Sequence, residues 1–486
     1  MQPRCPLYVN SRVSLARQRV LLYHVPRGMR FSAGQKPQTA FGMMTSATVT
    51  AAEVFSFAAR TRPPEPKPDG RDGKRTFMEE RLRRVWQSYG GVIVLGAVGI
   101  PIGIAVGAID AVFGRVLIAI GAIRDAHPFW FIPFLAAAGA LIAWSYLRFG
   151  KNTGRGMSLV FDVGLGRENV IPLRLIPLIM GGTWITHLFG GSAGREGVAV
   201  QIGATLSHWI GSKLPFRHPG NTFLLVGMAA GFAGLFRTPL AATLFALEVL
   251  VAGRLELQAL FPALTSSIAA SATSGALGLN KFEVPLAVST TLDPRTLALL
   301  AVLGVCFGVV GGLFAWCLKW GKKIAAARIE HPVKRIAIMG AALSVVFLLL
   351  WQGRYSGLGT NLISASFVDG AAGIRPWDWA LKFALTVLTL SAGFQGGEVT
   401  PLFSIGASLG VVLGGLMGLP VPLVAALGYA AVFGSATNTL LAPTFIGAEV
   451  FGFAYLPHFF VVCAVAYLFN MDKSIYALQE VGYRSR

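Results

Sequence analysis

The stretch GGSAGREGVAVQIGA, residues 190–204, sets an arginine–glutamate pair among glycines inside an otherwise apolar sequence. Gly190, Gly191, Gly194 and Gly197 break the preceding helix and let the next begin with its backbone N–H groups uncovered. A helix start carries about half a unit of positive charge and several free donors, which suits an anion. Glu196 stands at that start, framed by Gly194, Arg195 and Gly197. A carboxylate there can occupy an anion's own seat, leave when protonated and return when ionised. Such a group couples anion and proton movement. The plainer alternative is that Glu196 only caps its helix. An ionisable group in an apolar segment is costly and marks function, so the working role is favoured.

Working outward, GFQGGEVTPLF (393–403) repeats the design: glycines, a carboxylate (Glu398), then Val399, the hydroxyl of Thr400, and Pro401 near the first turn, where a missing N–H costs little. REGVAVQIGATL (195–206) resembles GEVTPLFSIGASL (397–409), and TPLAATLFALEV (238–249) resembles TLLAPTFIGAEV (439–450). The offsets, 203 and 201 residues, nearly agree, so one duplication is seen twice. Repeated halves with glycine-interrupted segments at corresponding places point to the binding site of a transporter. Two facing helix starts would aim their donors at one midplane point. Glu398 is then a proton acceptor or a structural partner of Arg195. Hydropathy this irregular leaves open whether the halves are parallel or inverted.

Composition fixes the class around these motifs. Of 486 residues 54% are hydrophobic and 13% charged, against about a quarter charged in soluble domains. Twelve apolar blocks follow one another from Gly90 to Asn470, and runs of roughly 18 or more apolar residues read as membrane helices. Several are too long or too short for one perpendicular span, and several are cut by Gly or Pro. Such breaks persist at membrane depth only where the backbone is buried in protein or lines a wet cavity. The expected fold is an all-α polytopic membrane protein, a duplicated bundle of tilted and broken helices.

The net charge of +20 is uneven: residues 1–85 hold 16 Lys/Arg against 6 Asp/Glu. Nucleic-acid binding is one reading. The positive-inside rule, which keeps Lys/Arg on cytoplasmic flanks, is the other. No basic stripe interleaved with aromatics is present, so no nucleic-acid partner is expected, and the N-terminus is placed in the cytoplasm. Residues 1–76 are rich in Arg, Ser, Pro and Gly and cannot bury a core, so they read as a disordered extension. That stretch also looks like a transit peptide or an over-long reading frame starting before Met43. Residues 77–87 suit an interfacial helix before the first span. The division that follows is a first membrane half over 77–280 and a second over 281–486.

Two weaker motifs complete the set. GRGMSLV (154–160) places Met157 before another apolar run, where Met is ordinarily packing. KSIYALQ (473–479) carries Tyr476, which is an interfacial anchor or, if buried, a hydroxyl in need of a partner. The four cysteines lack metal or redox spacing, and no cofactor or metal motif occurs. An intramembrane enzyme would need a Ser/His, paired-Asp or zinc constellation, but His187, His208 and His458 are scattered and no HExxH occurs.

The order GMSL, GREG, GGEVTPLF and IY along a duplicated chain resembles the CLC family of anion channels and anion/proton antiporters, over roughly residues 85–480. The resemblance implies a homodimer of inverted-repeat subunits, one pore each, multi-pass in the cell (inner) membrane. It implies Glu196 as the gating glutamate, Tyr476 as the central tyrosine and Met157 where chloride-type members place an anion-coordinating Ser. Val249, with Glu248 beside it, falls where chloride/proton exchangers keep an inner proton glutamate. GSGIP is absent and GGEVTP replaces GGxFxP. These departures look like the fluoride-exporting branch, in which Glu398 and Thr400 match residues tied to fluoride and proton handling. Val198 departs from that branch, which follows GREG with Thr. The expected function is a fluoride/proton antiporter exporting cytoplasmic fluoride, with Met157, Val399, Thr400 and Tyr476 along the anion path. A chloride/proton exchanger and a passive channel are the alternatives. Only about ten residues follow Tyr476, so no C-terminal cytoplasmic regulatory domain is expected.

Overall fold

The computed structural model describes residues 70–214 and 220–482. The chain divides into two units at Phe77/Met78. The basic extension expected over 1–76 lies outside the described residues except for its last few, which already form helix. Instead of a separate interfacial helix at 77–87, one helix, α1, runs through that segment, Gly70–Ala126.

The remaining long elements are helices as well. In chain order they are α2 (Leu135–Ser145), α3 (Met157–Gly164), α4 (Leu175–Leu188), α5 (Glu196–Gly211), α6 (Gly220–Phe236), α7 (Pro239–Glu248) and α8 (Leu260–Ala276). Then come α9 (Pro294–Arg328), α10 (Pro332–Leu349), α11 (Thr360–Val368), α12 (Asp378–Ala392), α13 (Val399–Met417), α14 (Val421–Thr437), α15 (Leu441–Phe451) and α16 (Leu456–Leu468). Among the described residues, five helical segments are long and apolar enough to cross a membrane: Gly90–Ala126, Pro128–Gly164, Pro294–Arg328, Pro332–Leu349 and Val399–Met417. Outer helices show the apolar exposure that lipid demands, as at Ile100, Ile104 and Val112 on α1 and Val302, Val309 and Leu313 on α9. The chain is a multi-pass helical membrane protein.

Local chemistry explains the breaks. The apolar block 221–251 splits into α6 and α7 where Arg237 adopts a left-handed φ of 60° just before Thr238-Pro239. Its counterpart 421–452 splits into α14 and α15 at Asn438, φ 55°. Asn tolerates that region better than most residues, and a proline at the first turn of α7 loses no helical bond.

The repeat is visible as packing. The most extensively packed helix pairs are α13 with α14 and α5 with α6. In one, a β-carbon on Gly203 would fall on the carbonyl oxygen of Gly227, and the reverse holds for Gly227. In the other, Gly406 and Gly428 stand in the same relation. Both crossings therefore bring backbone against backbone, as small residues allow in membranes.

A third correspondence is an exchange of caps. Glu248 at the end of α7 accepts from the N–H groups of Leu440, Leu441 and Ala442 at 3.2, 3.1 and 2.7 Å, satisfying the start of α15. Glu449, its equivalent in the repeat, accepts from Leu240 and Ala241 at 3.2 and 2.8 Å at the start of α7. Each helix thus caps the other, which requires the two to run in opposite directions. Below them, Val251–Ala252 pairs in parallel with Glu480–Val481. Gln479 Nε2 donates to Val249 O at 2.9 Å and Thr437 O at 3.0 Å. The segment carrying Tyr476 is clipped by these bonds to the ends of α7 and α14.

Gly203→Val and Gly406→Val are each expected to push a helix pair apart at a cost of about 1–3 kcal/mol or more. Gly121→Ala, with open space around the site, should not destabilise. Thermal midpoints in detergent check this; equal midpoints for all three variants would contradict the backbone crossings.

Candidate functional site

The site is built where the two glycine stretches meet. Gly194 N donates to Gly397 O at 2.6 Å and Gly397 N to Gly194 O at 2.8 Å, an antiparallel bridge. A β-carbon on Gly194 would lie 2.9 Å from Pro401 Cδ and 3.0 Å from Gly397 O, so only glycine permits the contact. The bridge places the starts of α5 and α13 side by side.

Glu196, the first residue of α5, is fully buried at this junction. Its Oε2 accepts from Arg195 N at 3.3 Å, from Thr400 N at 3.1 Å and from the Thr400 hydroxyl. Its Oε1 lies 3.6 Å from Arg195 Nε. The carboxylate therefore sits in donors from both repeats, at the positive ends of two helices. It is closed off from the molecular surface. Arg195 is itself largely buried, and its Nε and Nη1 make no hydrogen bond among the described residues.

The loop ahead of Glu196 is fixed by groups that sequence reading missed. Lys382, fully buried in α12, donates from Nζ to Ser192 Oγ at 2.9 Å, Tyr355 O at 3.1 Å and Gly357 O at 2.8 Å. The Ser192 hydroxyl also pairs with that of Thr386 at 2.8 Å. His187, read as scattered, places its ring nitrogens 2.8 Å from Thr183 O and 2.9 Å from Ala193 O. The signal for Lys382 was present: a lone ammonium within an apolar block is expensive and seldom idle.

Next to the junction lies a cavity of about 470 Å³. Met157, Glu398 and Tyr476 line it together, with Gln201, Ser391, Lys319, Lys322 and Arg335. Gly156, φ 53°, turns the chain so that α3 begins at Met157. Tyr476 is buried and stacked on Phe161 at 5.1 Å between ring centroids. Glu398 faces the cavity, its Oε1 3.7 Å from Lys322 Nζ. Of the two readings of Glu398, the pairing with Arg195 is not what forms: Lys322 lies beside Glu398, and Arg195 stays beside Glu196.

The sequence-derived residues thus divide into two groups. Glu196, Thr400, Gly194 and Arg195 form the cradle; Met157, Glu398 and Tyr476 form the cavity wall. Gly197 stands between them, since a β-carbon there would lie 3.8 Å from Glu398 Oε2. Val399 does not line the cavity; its side chain is packed into the apolar core. Among the described residues no cluster of His, Cys, Asp or Glu could hold a metal ion. Chemically, the cradle can seat one small anion or the carboxylate, and the cavity can gather anions beside a second acid.

The model of a family described as voltage gated chloride channel matches residues 138–471. A "Chloride/fluoride channel protein" of Pseudomonas syringae pv. tomato is 36% identical over 368 residues, covering 74% of this chain and 80% of that protein. The "Voltage-gated ClC-type chloride channel ClcB" of Citrobacter koseri is 27% identical over 289 residues, 57% of this chain and 68% of that protein. A crystal structure of a CLC-type fluoride/proton antiporter superposes with a TM-score of 0.79 at 54% identity, covering 81% of this chain and 99% of that chain. A slow cyanobacterial Cl−/H+ antiporter superposes at 0.67 with 19% identity, over 77% of this chain and 94% of that chain. That last likeness speaks for the fold alone.

Thr400→Val keeps the shape and the backbone N–H but removes the hydroxyl donor to Glu196. Hydrogen bonds to charged groups contribute about 1.5–3 kcal/mol, so a loss of that order is expected, with Thr400→Ser much closer to the parent. Unfolding in detergent checks it; an unchanged Val variant would remove the hydroxyl from the cradle.

Proposed function

We propose, from the premise that the chain belongs to the voltage-gated chloride channel (CLC) family, that it exchanges fluoride for protons across the membrane. The observation that carries this is the seat of Glu196. A buried carboxylate held by the amide and hydroxyl of Thr400 and the amide of Arg195 occupies a place built for a small anion. The 54% identity to a CLC-type fluoride/proton antiporter supports the same reading.

The cycle follows from the chemistry of that seat. Glu196 blocks the cradle while ionised. On taking a proton it loses its attraction for the helix starts, swings away and leaves the donors to an anion. When it gives up the proton on the other side of the membrane it returns and expels the anion. Glu398 is the second protonatable group, poised at the cavity with Lys322. Transport is secondary active, with inward proton flow driving fluoride out.

Fluoride fits this lining better than chloride. A smaller halide is a stronger hydrogen-bond acceptor and loses more hydration on leaving water. The Thr400 hydroxyl and the Glu398 carboxyl, once protonated, compensate for that loss. Met157 offers a thioether, which cannot donate, where a hydroxyl would serve chloride. Met157 and Tyr476 guide the anion between cavity and cradle, flanked by Gly194, Arg195 and Gly197.

The cavity opens to the cytoplasm by the positive-inside rule: Arg155, Lys319, Lys322 and Arg335 line it, and Lys323, Arg328 and Lys334 lie at the adjoining ends of α9 and α10. The basic residues before the first span put the N-terminus on that side too. The rest of the proposal is the family's arrangement: a homodimer in the lipid of the cell (inner) membrane, each subunit with a pore of its own made from the halves 77–280 and 281–486.

Reconstituted into liposomes, the protein is expected to release fluoride faster than chloride and to drive fluoride uphill under an imposed pH gradient. Glu196→Gln should abolish proton coupling. Faster chloride turnover would assign it to chloride, fluoride flux that moves no protons would make it a channel, and unchanged coupling in the variant would remove Glu196 from the mechanism.

A further inference from the structure

The cavity wall contains a buried polar group that the exchange cycle has not used. Gln201 stands on α5 just over one turn after Glu196, and its side chain is 4% exposed. Nε2 donates to Gly197 O at 3.1 Å. Oε1 has no hydrogen-bond partner among the described residues. Buried side-chain polar atoms are nearly always bonded, and an exception calls for a reason.

Its surroundings supply one. Gln201 lines the cavity with Met157, Glu398 and Tyr476. A β-carbon on Gly156 would lie 3.3 Å from Oε1, so the glycine before α3 makes room for this amide. At its other end the amide holds Gly197, beside Glu398 Oε2. The group therefore lies between the starts of α3, α5 and α13, where cavity and cradle adjoin.

A primary amide has two N–H donors and one carbonyl oxygen. One donor is used on Gly197, which leaves an N–H and Oε1 as a free edge. Met157 gives the start of α3 no side-chain donor, so Gln201 supplies what the thioether cannot. A neutral donor binds an anion without trapping it as a fixed cation would, and the stronger acceptor gains more from it.

We propose that Gln201 contacts the transported fluoride at the cytoplasmic end of the path and sets its preference over chloride, with the free N–H on the anion and Oε1 on a water that accompanies it. The inference rests on the fluoride/proton reading and adds to it a residue that determines specificity.

The test compares the full chain with Gln201→Met and Gln201→Glu in liposomes, following fluoride and chloride efflux separately. Gln201→Met keeps the volume without the amide. It should raise the fluoride KM at least about tenfold, which is about 1.4 kcal/mol, leave kcat less affected and spare chloride efflux. Gln201→Glu should be poor in fluoride near about pH 7.5 and recover, relative to the parent at the same pH, towards about pH 5 as its carboxyl gains a proton. The protonated acid restores one donor. Recovery in fluoride efflux that chloride efflux does not share marks contact with the anion, whereas a purely structural role, the bond to Gly197 O, would lose and regain both together and overturns the assignment. Should the Met variant not purify as a folded protein, the Glu profile decides alone. Parental KM and selectivity in Gln201→Met, or a parental pH profile in Gln201→Glu, overturns the assignment while the parent still exchanges fluoride. A parent that moves no fluoride overturns the functional reading instead.

Discussion

Removing a carboxylate from water costs several kcal/mol even after the protein relaxes around it, and the core of this molecule is arranged to offset that cost at Glu196. The compensation comes from backbone and hydroxyl donors at two helix starts, not from an ion pair alone. Neither repeat can supply it by itself. The Arg195 amide belongs to one and the Thr400 donors to the other, so the Gly194–Gly397 bridge is a precondition for the seat. The bridge is continuous with the loop ahead of Glu196, and Lys382 ties that loop, through Ser192 Oγ, to the carbonyls of Tyr355 and Gly357.

Duplication makes this arrangement economical, and its imperfection makes it work. Helix crossings at Gly203/Gly227 and Gly406/Gly428 use one solution twice, as do the caps exchanged by Glu248 and Glu449. At the centre the symmetry stops. Glu196 and Glu398 hold equivalent places in the repeat, yet one fills the cradle and the other faces an open cavity beside Lys322. Two identical acids in one seat would repel each other and compete for the same donors. Separating them leaves one seated in the cradle and the other beside the cavity on one side only, so the junction has two unlike faces.

Most of the centre was legible because it was written in short-range chemistry. Glycines beside an acid within apolar sequence announce an uncovered helix start wherever they occur, and the repeat offset tied two such starts together. Thr400 was found in the same way, whereas Tyr476 stood out only through the family resemblance. What stayed hidden depends on distant parts of the chain. Lys322 and Arg335 lie at the ends of α9 and α10, where basic residues are ordinary cytoplasmic flanks, and only folding brings them to the cavity. Gln201 was passed over as part of a helical motif, since nothing local shows that its carbonyl lacks a donor. Val399 follows Glu398 in the chain, yet its side chain packs into the apolar core while Glu398 faces the cavity. Hydropathy likewise merged α6 with α7, because a single left-handed residue at Arg237 ends a helix without changing the average.

The same geometry bears on why exchange, and not simple leakage, suits this centre. With Glu196 in place, Thr400 N and Oγ1 are already engaged, so an anion arriving from the cavity finds the donors occupied. The carboxylate must leave first. A bare charge leaving for an apolar wall faces a severe desolvation penalty, whereas the neutral acid faces far less. Proton uptake therefore becomes the inexpensive route out of the seat, and the vacated donors then favour whichever small anion is nearest. Neither event proceeds readily without the other, because both ions compete through one side chain for one set of amides.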